Sequence, residues 1–284
     1  MRSDERPIGV FDSGLGGLSV LLELEEMLPA ENYIYFGDTA RAPYGDRSAD
    51  EVCRFAVEIG DWLLERHCKV LVFACHTATV LGMAALTALT SMPVFGMVEP
   101  AMAEALDDGE DPVGKSAEAS GTAHDIWPVG MIATQGTVDS GDYQSVFAAK
   151  APGKPFYMSA CPAFVPFVEK GVLSGREVDQ AVEQYLRPLR DLGIRTLILG
   201  CTHYPFLAPV ITGFLGAGVR LANPAHKLAL MVGDYLRTHT MLNGSNEGKR
   251  GEREFWCSGD TSEFKAISSH FLSRPLDEVR RQVF

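Results

Sequence analysis

Two cysteines of this 284-residue chain stand in matched surroundings. Cys75 lies in KVLVFACHTATVL (69–81) and Cys201 in RTLILGCTHYPFL (195–207). Each follows a short apolar run and a small residue, and each precedes a turn bearing threonine and histidine. A thiol with an ordinary pKa of about 8.5 becomes a useful base near neutral pH once its surroundings favour the thiolate. A helix that begins just after it supplies partial positive charge and free N–H groups. Two such thiols on opposite faces of one carbon would take a proton from one side and return a proton to the other. A lone buried cysteine is more often a packing residue. Cys53, Cys68, Cys161 and Cys257 lack the twin context and are read that way.

Other polar residues fall beside the same turns. Asp12 and Ser13 sit in FDSGLGG, where glycines allow close backbone approach and N–H groups can hold a carboxylate; the plainer reading is a helix N-cap. The segment has neither a phosphate loop of the G-x-x-x-x-G-K-[ST] type nor a clean G-x-G-x-x-G fingerprint. In GDTARAPYGDRS (37–48), Tyr44 and Gly45 belong to a loop that offers N–H groups to a ligand, or to a simple turn with Ser48 capping the next helix. His203, two residues after Cys201, is suited to relaying a proton. His76 beside Cys75 either does the same or caps and packs. Glu99 and Asn223 follow apolar runs and either reach the cleft or are solvated turn residues.

The elements that must hold these residues alternate. Strands are expected at Ile8–Phe11, Tyr33–Phe36, Val70–Ala74, Val94–Val98, Val129–Ile132, Phe156–Ser159 and Thr196–Gly200, with weaker ones at Val219–Ala222 and Glu254–Ser258. Helical stretches include Gly17–Met27, Ala49–Arg66, Ala78–Leu89 and Glu177–Leu192. Continuous apolar strands alternating with helices indicate α/β units on a largely parallel sheet, with ligands at the strands' carboxyl ends. The pattern also repeats: IGVFDSGLGG (8–17) parallels VGMIATQGTV (129–138), just as the two cysteine segments parallel each other. Two pseudo-symmetric α/β domains facing across a cleft are therefore expected, 1–97 plus 208–284 and 98–207, with one cysteine on each wall. The polar stretch 107–125 reads as a flexible surface insertion, and 243–252 as a second polar break.

Composition bounds the rest. A net charge of -12 argues against duplex nucleic acid as a partner, because phosphate binding wants a basic field. No apolar stretch reaches the ~18 residues of a membrane span. The N-terminus has no signal-type apolar core, so the cytoplasm is the expected compartment. Cysteines without C-x-x-C spacing are expected as free thiols, not a disulfide framework or a zinc finger.

On FDSGLGGLSV (11–20), YFGDTARAPYG (35–45), ACHTAT (74–79), GMVEPA (96–101), ATQGTV (133–138), ACPAFVPFVE (160–169) and GCTHYPFL (200–207), the chain resembles the glutamate racemases of the aspartate/glutamate racemase superfamily. The resemblance runs over nearly the full length and in the family's order. It implies interconversion of L- and D-glutamate without pyridoxal phosphate or metal, and D-glutamate supply for bacterial peptidoglycan. It implies that Cys75 and Cys201 are the catalytic cysteines, assisted by Asp12 and His203 respectively. Ser13, Tyr44, Gly45, Thr77 and Thr202 match substrate-binding positions, and Thr134 and Thr137 fall in a segment that approaches the substrate. The implied partner is the small molecule glutamate, with a homodimer as the assembly to test. The family usually carries asparagine, which holds the substrate, where this chain has His76. That departure keeps open another amino-acid substrate or a non-catalytic binding role. Asn223 is a second departure, at a position more often acidic. Activation by a cell-wall precursor through a long N-terminal extension, a property of some members, is not expected from this sequence.

Overall fold

The computed structural model describes residues 3–107, 126–246, 248–272, 274–276 and 278–284. In chain order its elements are β1 (Ile8–Asp12), α1 (Leu18–Met27), β2 (Tyr33–Gly37), α2 (Ala49–Glu65), β3 (Val70–Phe73), α3 (His76–Leu89), β4 (Val94–Phe95) and α4 (Val98–Ala105). There follow β5 (Val129–Ala133), α5 (Gln135–Ser140), α6 (Asp142–Lys150), β6 (Phe156–Ala160), α7 (Phe164–Glu169), α8 (Arg176–Asp191) and β7 (Thr196–Gly200). The chain continues with α9 (Ala208–Leu215), β8 (Arg220–Ala222), α10 (Pro224–Thr238), β9 (Arg253–Cys257), α11 (Thr261–Phe271) and β10 (Arg280–Arg281).

The strands β1, β2, β3, β5 and β7 are buried at every residue. Helices on both faces leave no solvated side, so these strands are apolar runs without alternation. One sheet has the order β10-β9-β2-β1-β3-β4 and the other β6-β5-β7-β8. All their pairings are parallel. In both sheets the first strand lies between the next two, β1 between β2 and β3 and β5 between β6 and β7. The connections therefore leave in opposite directions and open a crevice at the carboxyl ends of β1/β3 and β5/β7. Asp12 ends β1, Cys75 follows β3, Thr134 follows β5 and Cys201 follows β7. The repeat seen in the sequence is thus a repeat of strand ends.

Local signals fix the helices that carry the site. Ser48 caps α2 as anticipated, accepting from Glu51 N while the Glu51 carboxylate accepts from Ser48 N, a reciprocal capping box. Helix α3 starts at His76, ahead of the Ala78 start expected from the sequence, because Cys75 is its N-cap and Sγ accepts from Ala78 N at 3.4 Å. The first catalytic candidate thus sits directly on the positive end of a helix dipole.

Three expectations are corrected. The run Val94–Val98 is a strand only at Val94–Phe95, and Val98 already opens α4. Residues 220–222 pair with β7, so the second sheet continues past the boundary set at 207; it ends at Ala222, and α10 returns the chain to the first core. The Arg280–Arg281 edge strand was not anticipated. The expected insertion at 107–125 lies, apart from Asp107, outside the described residues. Among those residues, no helix is long and apolar enough to cross a membrane.

Lys69, just before β3, fixes the end of the first sheet remote from the crevice. Its Nζ lies 2.5 Å from Glu31 Oε2 and donates to the carbonyls of Asp4 and Met241 at 2.7 Å. Both side chains are essentially inaccessible, at 0% and 1%. Removing one partner strands a buried charge, at a cost of about 3–5 kcal/mol. Lys69→Met should therefore lose about that much unfolding free energy in urea titration. A loss below about 1 kcal/mol, the level of a surface pair, would contradict this account of the ion pair.

Candidate active site

The carboxyl ends of the two sheets meet, and polar side chains from each cross the junction. Thr202, after β7, donates its hydroxyl to Asp12 Oδ2 at 3.1 Å. Ser19 of α1 donates to the Thr202 carbonyl at 3.0 Å. Thr77 of α3 lies 2.9 Å from the hydroxyl of Thr134 and 3.1 Å from that of Thr137, and those two are 3.0 Å apart. The result is a closed triangle of hydroxyls spanning both halves. A Cβ on Gly45 would come within 2.7 Å of Thr134 Cβ, and one on Gly16 would collide with Thr202 Oγ1 and His203 Nδ1. Glycine is needed at both places to let the walls approach.

Asp12 is fully buried, and its own turn holds it: Gly14 N donates to Oδ1 at 3.0 Å, and the backbone of Gly17 also donates to the carboxylate. Two of the N–H groups that the sequence offered to a ligand, those of Gly14 and Gly17, thus serve Asp12 itself, and α1 has no side-chain cap. Burial raises the pKa of Asp12, opposed by the charge of His203 and by these hydrogen bonds. Cys75 is 6% exposed, and burial pushes its thiol up to about 12, reinforced by the charge of Asp12 and opposed by the hydrogen bonds from Ala78 N and Ser13. Cys75 is therefore a thiol at neutral pH.

The second thiol has different company. Cys201 Sγ lies 3.6 Å from Nδ1 of His203, whose Nε2 lies 2.6 Å from Glu169 Oε1 at the end of α7. Burial alone would depress the pKa of His203, but the hydrogen bonds to Cys201 and Glu169 outweigh it and hold the pKa well above the usual range. The ring is an imidazolium with a donor on each nitrogen.

The remaining expected residues fall around this centre. The Tyr44 hydroxyl donates to Asp38, which also accepts from Ser258 Oγ and Arg41 Nε at 2.6 Å, so that phenol anchors its loop. His76, 2% exposed, has Nδ1 2.5 Å from the Tyr143 hydroxyl; burial lowers its pKa to about 3, so it stays neutral. Glu99 lies at the surface, paired with Lys150, and Asn223 caps α10 through its side chain, so both take the plainer of their two readings. Cys68, Cys161 and Cys257 are buried free thiols, as expected of packing residues.

Sequence reading missed three contributors. Glu169 and Tyr143 act on histidines 34 and 67 residues away, a relation that no periodicity encodes. Asp38 carried a readable signal, an acid immediately after a buried strand.

The coupling of His203 to Glu169 has a definite sign. A histidine whose pKa is raised on folding contributes stability that is full below the unfolded value of about 6.5 and lost as pH rises through the folded value. Glu169→Gln should move the His203 titration, followed by NMR of the imidazole, to lower pH. An unmoved titration would mean that the carboxylate does not hold the charge.

This geometry has many relatives. The family model for Asp/Glu/Hydantoin racemase matches residues 8–231. Glutamate racemase 2 of Caldanaerobacter subterraneus subsp. tengcongensis is 40% identical over 278 residues, covering 97% of each chain. The glutamate racemase of Corynebacterium diphtheriae is 38% identical over 275 residues, again covering 97% of each. Among solved structures, glutamate racemase from Francisella tularensis in complex with D-glutamate superposes with a TM-score of 0.84 at 30% identity, covering 99% of this chain and 98% of that one. Glutamate racemase from Thermus thermophilus in complex with beta-chloro-D-alanine gives 0.82 at 37% identity, covering 100% and 99%. The chain belongs to the Asp/Glu/Hydantoin racemase family, with the glutamate racemases, and is an amino-acid racemase.

Proposed function

We propose that the chain interconverts L- and D-glutamate by a two-base proton transfer between Cys75 and Cys201, and so supplies D-glutamate for peptidoglycan in the cytoplasm. The observation that carries the mechanism is the pairing of thiols at matched strand ends, one from each sheet, joined by the Thr202–Asp12 hydrogen bond. The glutamate complexes of related enzymes support the choice of substrate.

In one direction the Cys201 thiolate, beside the His203 imidazolium, takes the α-proton and becomes a thiol. The electron pair left on the α-carbon takes the proton of Cys75 from the other face, and Cys75 becomes a thiolate. The reverse reaction starts from the second state, with Asp12 assisting Cys75 and His203 assisting Cys201. An amino-acid α-proton is far less acidic than a thiol, so negative charge developing on the substrate carboxylate must be stabilised where water is excluded. Hydroxyls of Ser13, Thr77, Thr134, Thr137 and Thr202, the loop around Tyr44 and Gly45, and the His76 ring are the groups assigned to substrate. Ser13, Tyr44, His76, Thr77, Thr134, Thr137 and Thr202 are each at most 8% exposed.

Polarimetry with L- and then D-glutamate, with no cofactor added and a chelator present, should show loss of optical signal from either enantiomer. Cys75→Ser and Cys201→Ser should each slow racemisation by about 10²–10⁴-fold, the range for a proton-transfer group. Near-normal turnover in either variant would remove the two-base reading. Inertness of the folded, reduced protein toward both enantiomers would remove the assignment to glutamate.

A further inference from the structure

The contact between His76 and Tyr143 crosses from one half to the other and has no part in the proton transfer described above. His76 opens α3 next to Cys75, and Tyr143 lies in the first turn of α6. Their rings stack at 26° with centroids 5.9 Å apart, and Nδ1 is 2.5 Å from the phenol oxygen. Tyr143 is completely buried, and its hydroxyl meets the residue next to Cys75.

The direction of this hydrogen bond follows from what surrounds it. Among the described residues the Tyr143 hydroxyl has no hydrogen-bond partner other than His76. Were the phenol to accept from Nδ1–H, its own proton would be buried without an acceptor, which is strongly disfavoured. The phenol therefore donates, Nδ1 accepts, and the ring proton of neutral His76 resides on Nε2. Nε2 in turn has no protein partner among the described residues, although His76 is only 2% exposed.

We propose that Tyr143 is a positioning residue that fixes His76 in the Nε2–H tautomer, leaving that N–H as an uncharged donor for a carboxylate of the amino-acid substrate. The proposal rests on the racemase reading of the cleft. A ring fixed this way cannot accept from the substrate ammonium, so His76 discriminates by charge sign without bringing a charge of its own beside Cys75. Its neighbour Thr77 makes the parallel contact to Thr134 and Thr137, so two consecutive residues of α3 engage the opposite wall.

The test uses the full chain labelled with ¹⁵N-histidine. His76 should show an unprotonated Nδ1 and a protonated Nε2 with no titration between about pH 5 and 8, and D-glutamate should shift the Nε2 resonance. A protonated Nδ1, a midpoint near 6.5, or no response to D-glutamate would overturn the proposal. In kinetics, Tyr143→Phe should raise KM for glutamate about tenfold, with a smaller change in kcat, as expected for one lost orienting hydrogen bond. An asparagine amide carries its own N–H donors. In a His76→Asn background, therefore, the same tyrosine change should alter KM by less than about twofold. Equal losses in both backgrounds would show that Tyr143 does not act through His76. If the wild type fails to racemise glutamate, the functional reading falls, while the resonances of wild-type His76 still decide the tautomer.

Discussion

The hydrogen bond from Thr202 to Asp12 joins the carboxyl end of one parallel sheet to that of the other, inside a region closed to water. The rest of the site depends on that meeting of strand ends. Each sheet alone would present a crevice with one thiol, one hydroxyl-rich turn and solvent on the open side. Brought together, they become a single chamber whose polar groups satisfy one another: Asp12 with Gly14 and Thr202, and Thr77 with Thr134 and Thr137. Close approach is possible because glycines stand where side chains would collide, at Gly16 against His203 and at Gly45 against Thr134.

Burial sets the chemistry as much as proximity does. It raises the Cys75 thiol to about 12, lowers His76 to about 3 and raises Asp12, in each case disfavouring the charged form. His203 goes against the trend because Cys201 and Glu169 hold its proton from both sides. The two halves thus repeat in backbone but not in electrostatics. A neutral thiol with a carboxylate neighbour faces a thiol with an imidazolium neighbour. Such an asymmetry suits a reaction in which one base must start without its proton and the other with it.

The parallel α/β architecture was legible because fully buried strands such as VLVF and TLILG have no alternation to confuse, and because the cysteine turns repeat. The placement of both thiols, Asp12 and His203 was legible for the same reason: each lies at or just after the end of a strand that reaches the crevice. What was lost follows a different logic. The run from Val94 to Val98 is apolar throughout, yet Gly96 separates a two-residue strand from a helix, and hydrophobicity alone cannot mark that break. Strand Arg280–Arg281 is short and exposed at a sheet edge, so it carries no burial pattern. The sheet membership of Arg220–Ala222 is decided by pairing with Thr196–Ile198 far upstream. Glu169 and Tyr143 matter through partners that only the folded chain brings near, and no spacing rule could name them.

The central claim is that the α-proton leaves to one thiol and returns from the other, on opposite faces of one carbon. The most direct test is racemisation started in D2O from either pure enantiomer, with deuterium at the α-carbon followed in both enantiomers at early times. Two bases with separate proton pools predict that newly formed product carries deuterium while unconverted substrate keeps its hydrogen, in both directions. Product that retains the substrate's own hydrogen would mean that a single group carries the proton across, and would contradict the account.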